Sequence, residues 1–162
     1  MDPHLLNIYG EFSVVTELAL RNCYALPTLS NHKHIDLIVF CKTDKRPLFI
    51  QVKAKQMRVW PACSGINHQN SFLVFVDIKN RNISQKADYY ILNLKAWDKL
   101  VQEKLKEYKQ KHPNRRAVIQ NHNLVLLDEL KKNGKPYSGC SINLTDVEKF
   151  KDRWKTITDN IK

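Results

Sequence analysis

Residues 34–55, HIDLIVFCKTDKRPLFIQVKAK, constrain the fold more than any other stretch. Two runs rich in β-branched and aromatic residues, IDLIVF and PLFIQVKA, flank the polar break KTDKR, the pattern of a β-hairpin. Thr43, Asp44 and Lys45 supply turn chemistry, and Pro47 can open the return strand where no N–H is needed. Side chains alternate across a strand, so Gln51 and Lys53 share one face and Val52 takes the other. A turn near Thr43 and Asp44 sets Asp36 opposite Gln51, and a slip of one residue would reverse the face. In that register a carboxylate, an amide and an ammonium converge at one end of a sheet. A structural Asp36–Lys53 ion pair is the plain alternative. A charge half-buried among apolar residues needs a partner or a metal.

The first segment, residues 3–24, has helical periodicity, with Asp2 as cap and Pro3 in the first turn. Gly10 suggests a break, with the main helix over residues 10–22. Val14, Val15 and Leu18 centre an apolar stripe. Glu11 falls within that stripe, and Glu17 falls to one side with Ser13 and Arg21. Glu11 is therefore the inward carboxylate, unless it simply favours the helix dipole. Glu17 reads as a solvated or ion-paired surface residue and stands as the substitute candidate.

The chain has 162 residues, enough for one domain with a real core. Its formal charge of +11 favours a polyanionic partner, nucleic acid before an anionic membrane. No apolar run is long enough to span a bilayer, and residues 1–12 lack the pattern of a secretory signal. Cys23, Cys41, Cys63 and Cys140 are scattered, which reads as reduced thiols in a cytoplasmic protein. Cys63 and His68 lack a second pair at zinc-ligand spacing.

Further along, residues 24–29 read as a short strand. Residues 54–70 read as mostly irregular, with Lys55, Arg58 and Trp60 suited to a nucleic-acid-facing loop, or with Trp60 plugging the core. Lys33 and His34, just before Asp36, are placed to touch phosphate. Residues 71–78 form a buried central strand and residues 88–94 another. Residues 96–111 form a helix with a lysine-rich face that includes Lys104 and continues into Arg115 and Arg116. That face is either a phosphate-contacting surface or simply solvated. Residues 117–130 read as a strand or a partly helical connection. Thr145 with Glu148 forms a capping box for a last helix packed by Val147, Phe150, Trp154 and Ile157.

This order resembles the PD-(D/E)XK nuclease superfamily. The resemblance rests on Gly10-Glu11, Ile35-Asp36-Leu37 and Gln51-Val52-Lys53, with support from FLVFVDI, DYYIL and DRWKTI further on, and it covers most of the chain. The pattern is similar to the branch containing archaeal Holliday-junction resolvases and small bacterial endonuclease-like proteins. It departs from that branch in two places. Gln51 stands where an Asp or Glu is usual, and Val14 holds the position four residues after the glycine, where the resolvase pattern has Glu. The resemblance implies an α/β (α+β) restriction-endonuclease-like core, a mixed sheet with the catalytic hairpin at its centre and helices around it. It implies a single domain over residues 1–162, with the core at about 3–95 and a helical elaboration at about 96–162.

The activity implied is Mg²⁺-dependent phosphodiester hydrolysis in nucleic acid, most naturally DNA, with Mn²⁺ able to substitute. Asp36 is the principal metal ligand in this reading, joined by Gln51, the Val52 carbonyl and Glu11, with Lys53 facing the substrate anion. Homodimerisation follows only by analogy. Two other classes stay open: a non-catalytic nucleic-acid-binding module with a degenerate site, and an interaction protein whose basic faces meet acidic partners.

Overall fold

The computed structural model describes residues 1–28, 35–41, 46–79, 82 and 85–159. Helix α1 spans Pro3–Ala19 and is capped by Asp2, whose side chain accepts from the backbone N–H groups of His4 and Leu5. Gly10 does not break it. The helix lies so close to the sheet that a Cβ at Gly10 would sit 2.8 Å from the Ala54 Cβ. Leu6, Gly10, Val14 and Leu18 form the buried stripe, one turn apart along the helix. Glu17 is buried too, contrary to its expected place on the surface. Arg21 at 2.8 Å and Lys86 at 2.7 Å neutralise it.

The main sheet has five strands: β1 (Cys23–Pro27), β2 (Leu37–Cys41), β3 (Leu48–Lys55), β5 (Ser71–Asp77) and β6 (Asp88–Asn93). They lie in the order β1-β2-β3-β5-β6. β2 runs antiparallel to both β1 and β3, β3 and β5 are parallel, and β6 returns antiparallel. The fold is thus mixed α/β with a mixed central sheet flanked by helices. Every residue of β5 is buried, as expected of a central strand: Phe72, Val74 and Val76 face α1, and Leu73 and Phe75 face the opposite layer.

That opposite layer holds α2 (Leu94–Lys111), which the Asn93 side chain caps by accepting from Ala96 N–H. The segment expected to be irregular contributes β4 (Trp60–Cys63), which pairs with β10 (Cys140–Ile142). Beyond α2 the chain is more strand than helix. β7 (Ala117–Gln120), β8 (Asn123–Leu130) and β9 (Pro136–Ser138) form a second sheet, so the expected helical elaboration is corrected. α3 (Leu144–Val147) begins at Asn143, whose N–H donates to Asp146 at 2.7 Å, so the cap lies two residues before the expected Thr145–Glu148 pair. A 3-10 turn and α4 (Lys155–Thr158) follow, and Trp154 and Ile157 pack onto the α1 side of the sheet.

Two further expectations change. Lys104 is buried within α2 rather than displayed on its basic face, paired with Asp146 at 2.7 Å and Glu107 at 3.2 Å. Cys23 and Cys41 sit opposite each other on β1 and β2 and are joined in a disulfide, so the reduced-thiol reading fails for that pair. The cytoplasmic expectation loses one of its arguments, the reduced thiols. Cys63 and Cys140 are free and buried; burial pushes the Cys63 thiol up to about 12 and the Cys140 thiol to about 11. No described helix is long and apolar enough to cross a membrane.

Candidate functional site

The β2–β3 register pairs Leu37 with Ile50, Ile38 with Phe49 and Val39 with Leu48. One step further places Asp36 across from Gln51, the register expected from the sequence. The turn residues 42–45 lie outside the described residues. Asp36 is fixed from both sides. Its N–H donates to the Ile50 carbonyl at 2.8 Å, and its own carbonyl accepts from Thr28 N–H at 2.9 Å. Its Oδ2 accepts from Val52 N–H at 2.6 Å, so the carboxylate continues the ladder just before β2 begins.

Asp36 lines a cavity of about 290 Å³ together with Val52 and Lys53 of β3 and with Asn7 and Glu11 of α1. β4 closes one wall. The close approach at Gly10 brings Glu11 here, since Gly10 rests on Ala54 and Val52. Glu11 is half-buried, and its carboxyl is held above the ordinary value first by burial and then by the nearby Asp36, with His4 opposing. The structure therefore brings Glu11, Asp36, Val52 and Lys53 together and keeps Glu17 apart in its own ion pairs. Asn7 escaped the sequence reading. The legible signal was its spacing: it precedes Glu11 by four residues, one helical turn on the same face.

Gln51 has a different place from the one expected. It is only 4% exposed and does not line the cavity. With its oxygen turned to Lys53, the amide accepts from Lys53 Nζ at 3.0 Å and donates to the Ser64 carbonyl at 3.3 Å. It braces the lysine from beneath. Val52 donates its N–H to Asp36, which ties the strand carrying the expected carbonyl ligand to the expected carboxylate ligand. Among the described residues no three His, Cys, Asp or Glu side chains gather as a metal cluster. The cavity thus holds two carboxylates and one braced ammonium.

The expected nucleic-acid contacts divide. Arg58 is exposed between β3 and β4, while Lys33 and His34 lie outside the described residues. Lys55 is corrected and Trp60 takes the other of its two expected places, plugging the core: they are 3% and 1% exposed, closed off from any macromolecule. Lys55 pairs with Asp77 and sits 4.2 Å from the centroid of the Trp60 ring, and the Trp60 indole N–H donates to the Val76 carbonyl. A buried lysine needs such a partner, and β4 provides the layer that buries it. Arg115 and Arg116 are paired with Glu129 at 2.7 Å and Asp128 at 2.8 Å, which reduces the net charge they present.

Comparison with family models, with curated proteins and with solved structures finds no match to this chain.

Proposed function

We propose that the chain is a metal-dependent endonuclease with a restriction-endonuclease-like core, acting on phosphodiester bonds in nucleic acid, most naturally DNA. One observation carries the reading: Glu11, Asp36 and Lys53 line a single cavity, two carboxylates beside one ammonium. The donors suit Mg²⁺ or Mn²⁺. The Glu11 and Asp36 carboxylates are hard oxygen ligands, and Mg²⁺ is commonly held by one or two carboxylates while keeping several waters. The Glu11 carboxyl, raised first by burial and then by Asp36, supports the same reading, because a cation held by these carboxylates would offset both effects.

In this reading Glu11 and Asp36 hold the cation. The chemistry supplied by bound Mg²⁺ is Lewis-acid stabilisation of charge on the phosphodiester. Val52 N–H keeps Asp36 turned into the cavity. Lys53 Nζ stabilises negative charge developing on the phosphoryl oxygens, and Gln51 holds that ammonium in place. Gln51 is a positioning residue here and not a ligand. Asn7 is placed to hydrogen-bond substrate or water beside Glu11.

The test is cleavage of supercoiled plasmid and of branched DNA in Mg²⁺ and Mn²⁺. Asp36→Ala and Lys53→Ala are each expected to lose at least about a hundredfold in rate, the scale of removing one preorganised charge-stabilising group. Cleavage at the wild-type rate by both variants would sink the assignment. A second reading, a nucleic-acid-binding module without catalysis, is favoured by the absence of an acid at Gln51 and by the amide's engagement beneath Lys53. It predicts salt-dependent binding with no scission under either metal.

A further inference from the structure

The half of the sheet next to the cavity has one face that no element among the described residues covers. On β1, β2 and β3, Cys23, Ala25, Leu37, Val39, Leu48 and Ile50 turn toward α1 and belong to its core. The alternate residues turn the other way: Tyr24, Leu26, Ile38, Phe40 and Phe49. On that side α2 packs over β5 and β6. Tyr24 is 76% exposed and Leu26 56%, and Ile38, Phe40 and Phe49 are each partly exposed. The register makes them neighbours. Tyr24 lies beside Phe40, Leu26 beside Ile38, and Ile38 beside Phe49. Along the strands, the next same-face position after Phe49 is Gln51, the brace of Lys53, and the one before Ile38 is Asp36. Along β2 the face therefore reaches the cavity at Asp36, while on β3 it ends at the buried Gln51.

We propose that this face is a stacking platform for unpaired bases, so that the site takes single-stranded nucleic acid, or a strand splayed from a junction or end. The proposal rests on reading the cavity as a phosphodiester site. Three aromatic rings and two aliphatic side chains share this sheet face, with the Tyr24 hydroxyl its one side-chain hydrogen-bonding group, and every base has a π-face to lay on the rings. A duplex would set phosphates and sugars against the same apolar surface and leave its bases stacked on one another. The formal charge of +11 matches a polyanion. A second copy adding a strand at β1 is disfavoured. Thr28 N–H turns inward to Asp36, so by alternation the position of Pro27 faces the outer edge, where its missing N–H interrupts the row of donors.

The experiment titrates the full chain in EDTA, by fluorescence anisotropy, with a labelled single-stranded oligothymidine and with a blunt duplex of equal length. The single strand is expected to bind more tightly. Tyr24→Ala should weaken its binding roughly tenfold and Tyr24→Phe by no more than about twofold, since a stacked ring does not need the hydroxyl. Binding indifferent to Tyr24→Ala, an equal loss in Tyr24→Phe, or a preference for duplex each overturns the platform. Sedimentation velocity on the protein alone covers the other occupant. A concentration-dependent dimer that Leu26→Glu abolishes would make the face a self-association surface and overturn the proposal. Tyr24-dependent binding without cleavage in Mg²⁺ would leave the platform standing and remove the nuclease reading.

Discussion

Ionising Glu11 works against the fold. Its carboxyl is raised above the ordinary 4.5, first by burial and then by Asp36. A carboxyl that holds its proton more tightly when folded loses stability as pH rises from the unfolded value through the folded one. The full penalty is present above the folded value, and none remains well below 4.5. Glu11→Gln is therefore expected to raise the urea midpoint in EDTA at about pH 7.5, with the gain shrinking toward pH 4.5. Added Mg²⁺ should stabilise the wild type and not the variant, because a ligand stabilises only the state that binds it. Equal urea midpoints for the two proteins at neutral pH would contradict this account. Gln51 gives a complementary prediction. Because its amide holds Lys53 at 3.0 Å and lies outside the cavity lining, Gln51→Leu should slow cleavage by about tenfold or more, the loss of one oriented charge. The Mg²⁺ concentration giving half-maximal rate should not move. A marked rise in that concentration would return Gln51 to the ligand set.

Helix α1 and its seat on β3 determine whether Glu11 reaches the cavity at all. Ala at position 10 would gain about 1 kcal/mol in helix propensity over Gly. Its Cβ, however, would meet the Ala54 Cβ at 2.8 Å, and overpacking of this kind costs typically about 1–3 kcal/mol. The clash should win, so Gly10→Ala is expected to lower the urea midpoint and slow cleavage together. The double variant Gly10→Ala/Ala54→Gly should lose less than the sum of its two parts, which a double-mutant cycle reads directly. The β1–β2 disulfide is the other device that fixes this half of the sheet. It closes a separation of 18 residues, so breaking it should cost roughly 3 kcal/mol by the loop-entropy argument. Denaturation with and without reductant, with Cys23→Ser/Cys41→Ser as control, checks that figure. What was legible at this scale was local. The β2–β3 register followed from one short turn and two alternating runs, so Asp36 fell opposite Gln51 as read. Whatever depended on a second layer was hidden. Lys55 looks like part of a basic loop until β4, which pairs with β10 some eighty residues on in the chain, sets the Trp60 ring over it beside Asp77. The β7–β8 turn was missed because Asn121 and His122 both adopt positive φ without a glycine to announce it.

At the scale of the molecule, +11 is a field as well as a composition. Part of it is spent internally: Lys104 is buried against Asp146, Lys86 reaches Glu17, and Arg115 and Arg116 meet Glu129 and Asp128. The exposed Lys99, Lys106 and Lys109 on α2 remain, on the layer opposite α1. A field and a stacking platform leave different signatures, because phosphate contacts respond to salt and stacking hardly does. Affinity for single strand and for duplex should both fall linearly with salt on logarithmic axes, with a slope of about −0.7 per neutralised phosphate for single strands and −0.9 for duplex. Changing Lys99, Lys106 and Lys109 to Glu should weaken both substrates together and flatten both slopes. Tyr24→Ala should weaken the single strand alone and leave its slope where it was. If the lysine variant instead changed neither affinity nor slope, the α2 face would be merely solvated, and the electrostatic attraction would have to come from basic residues nearer the cavity, beginning with Arg58.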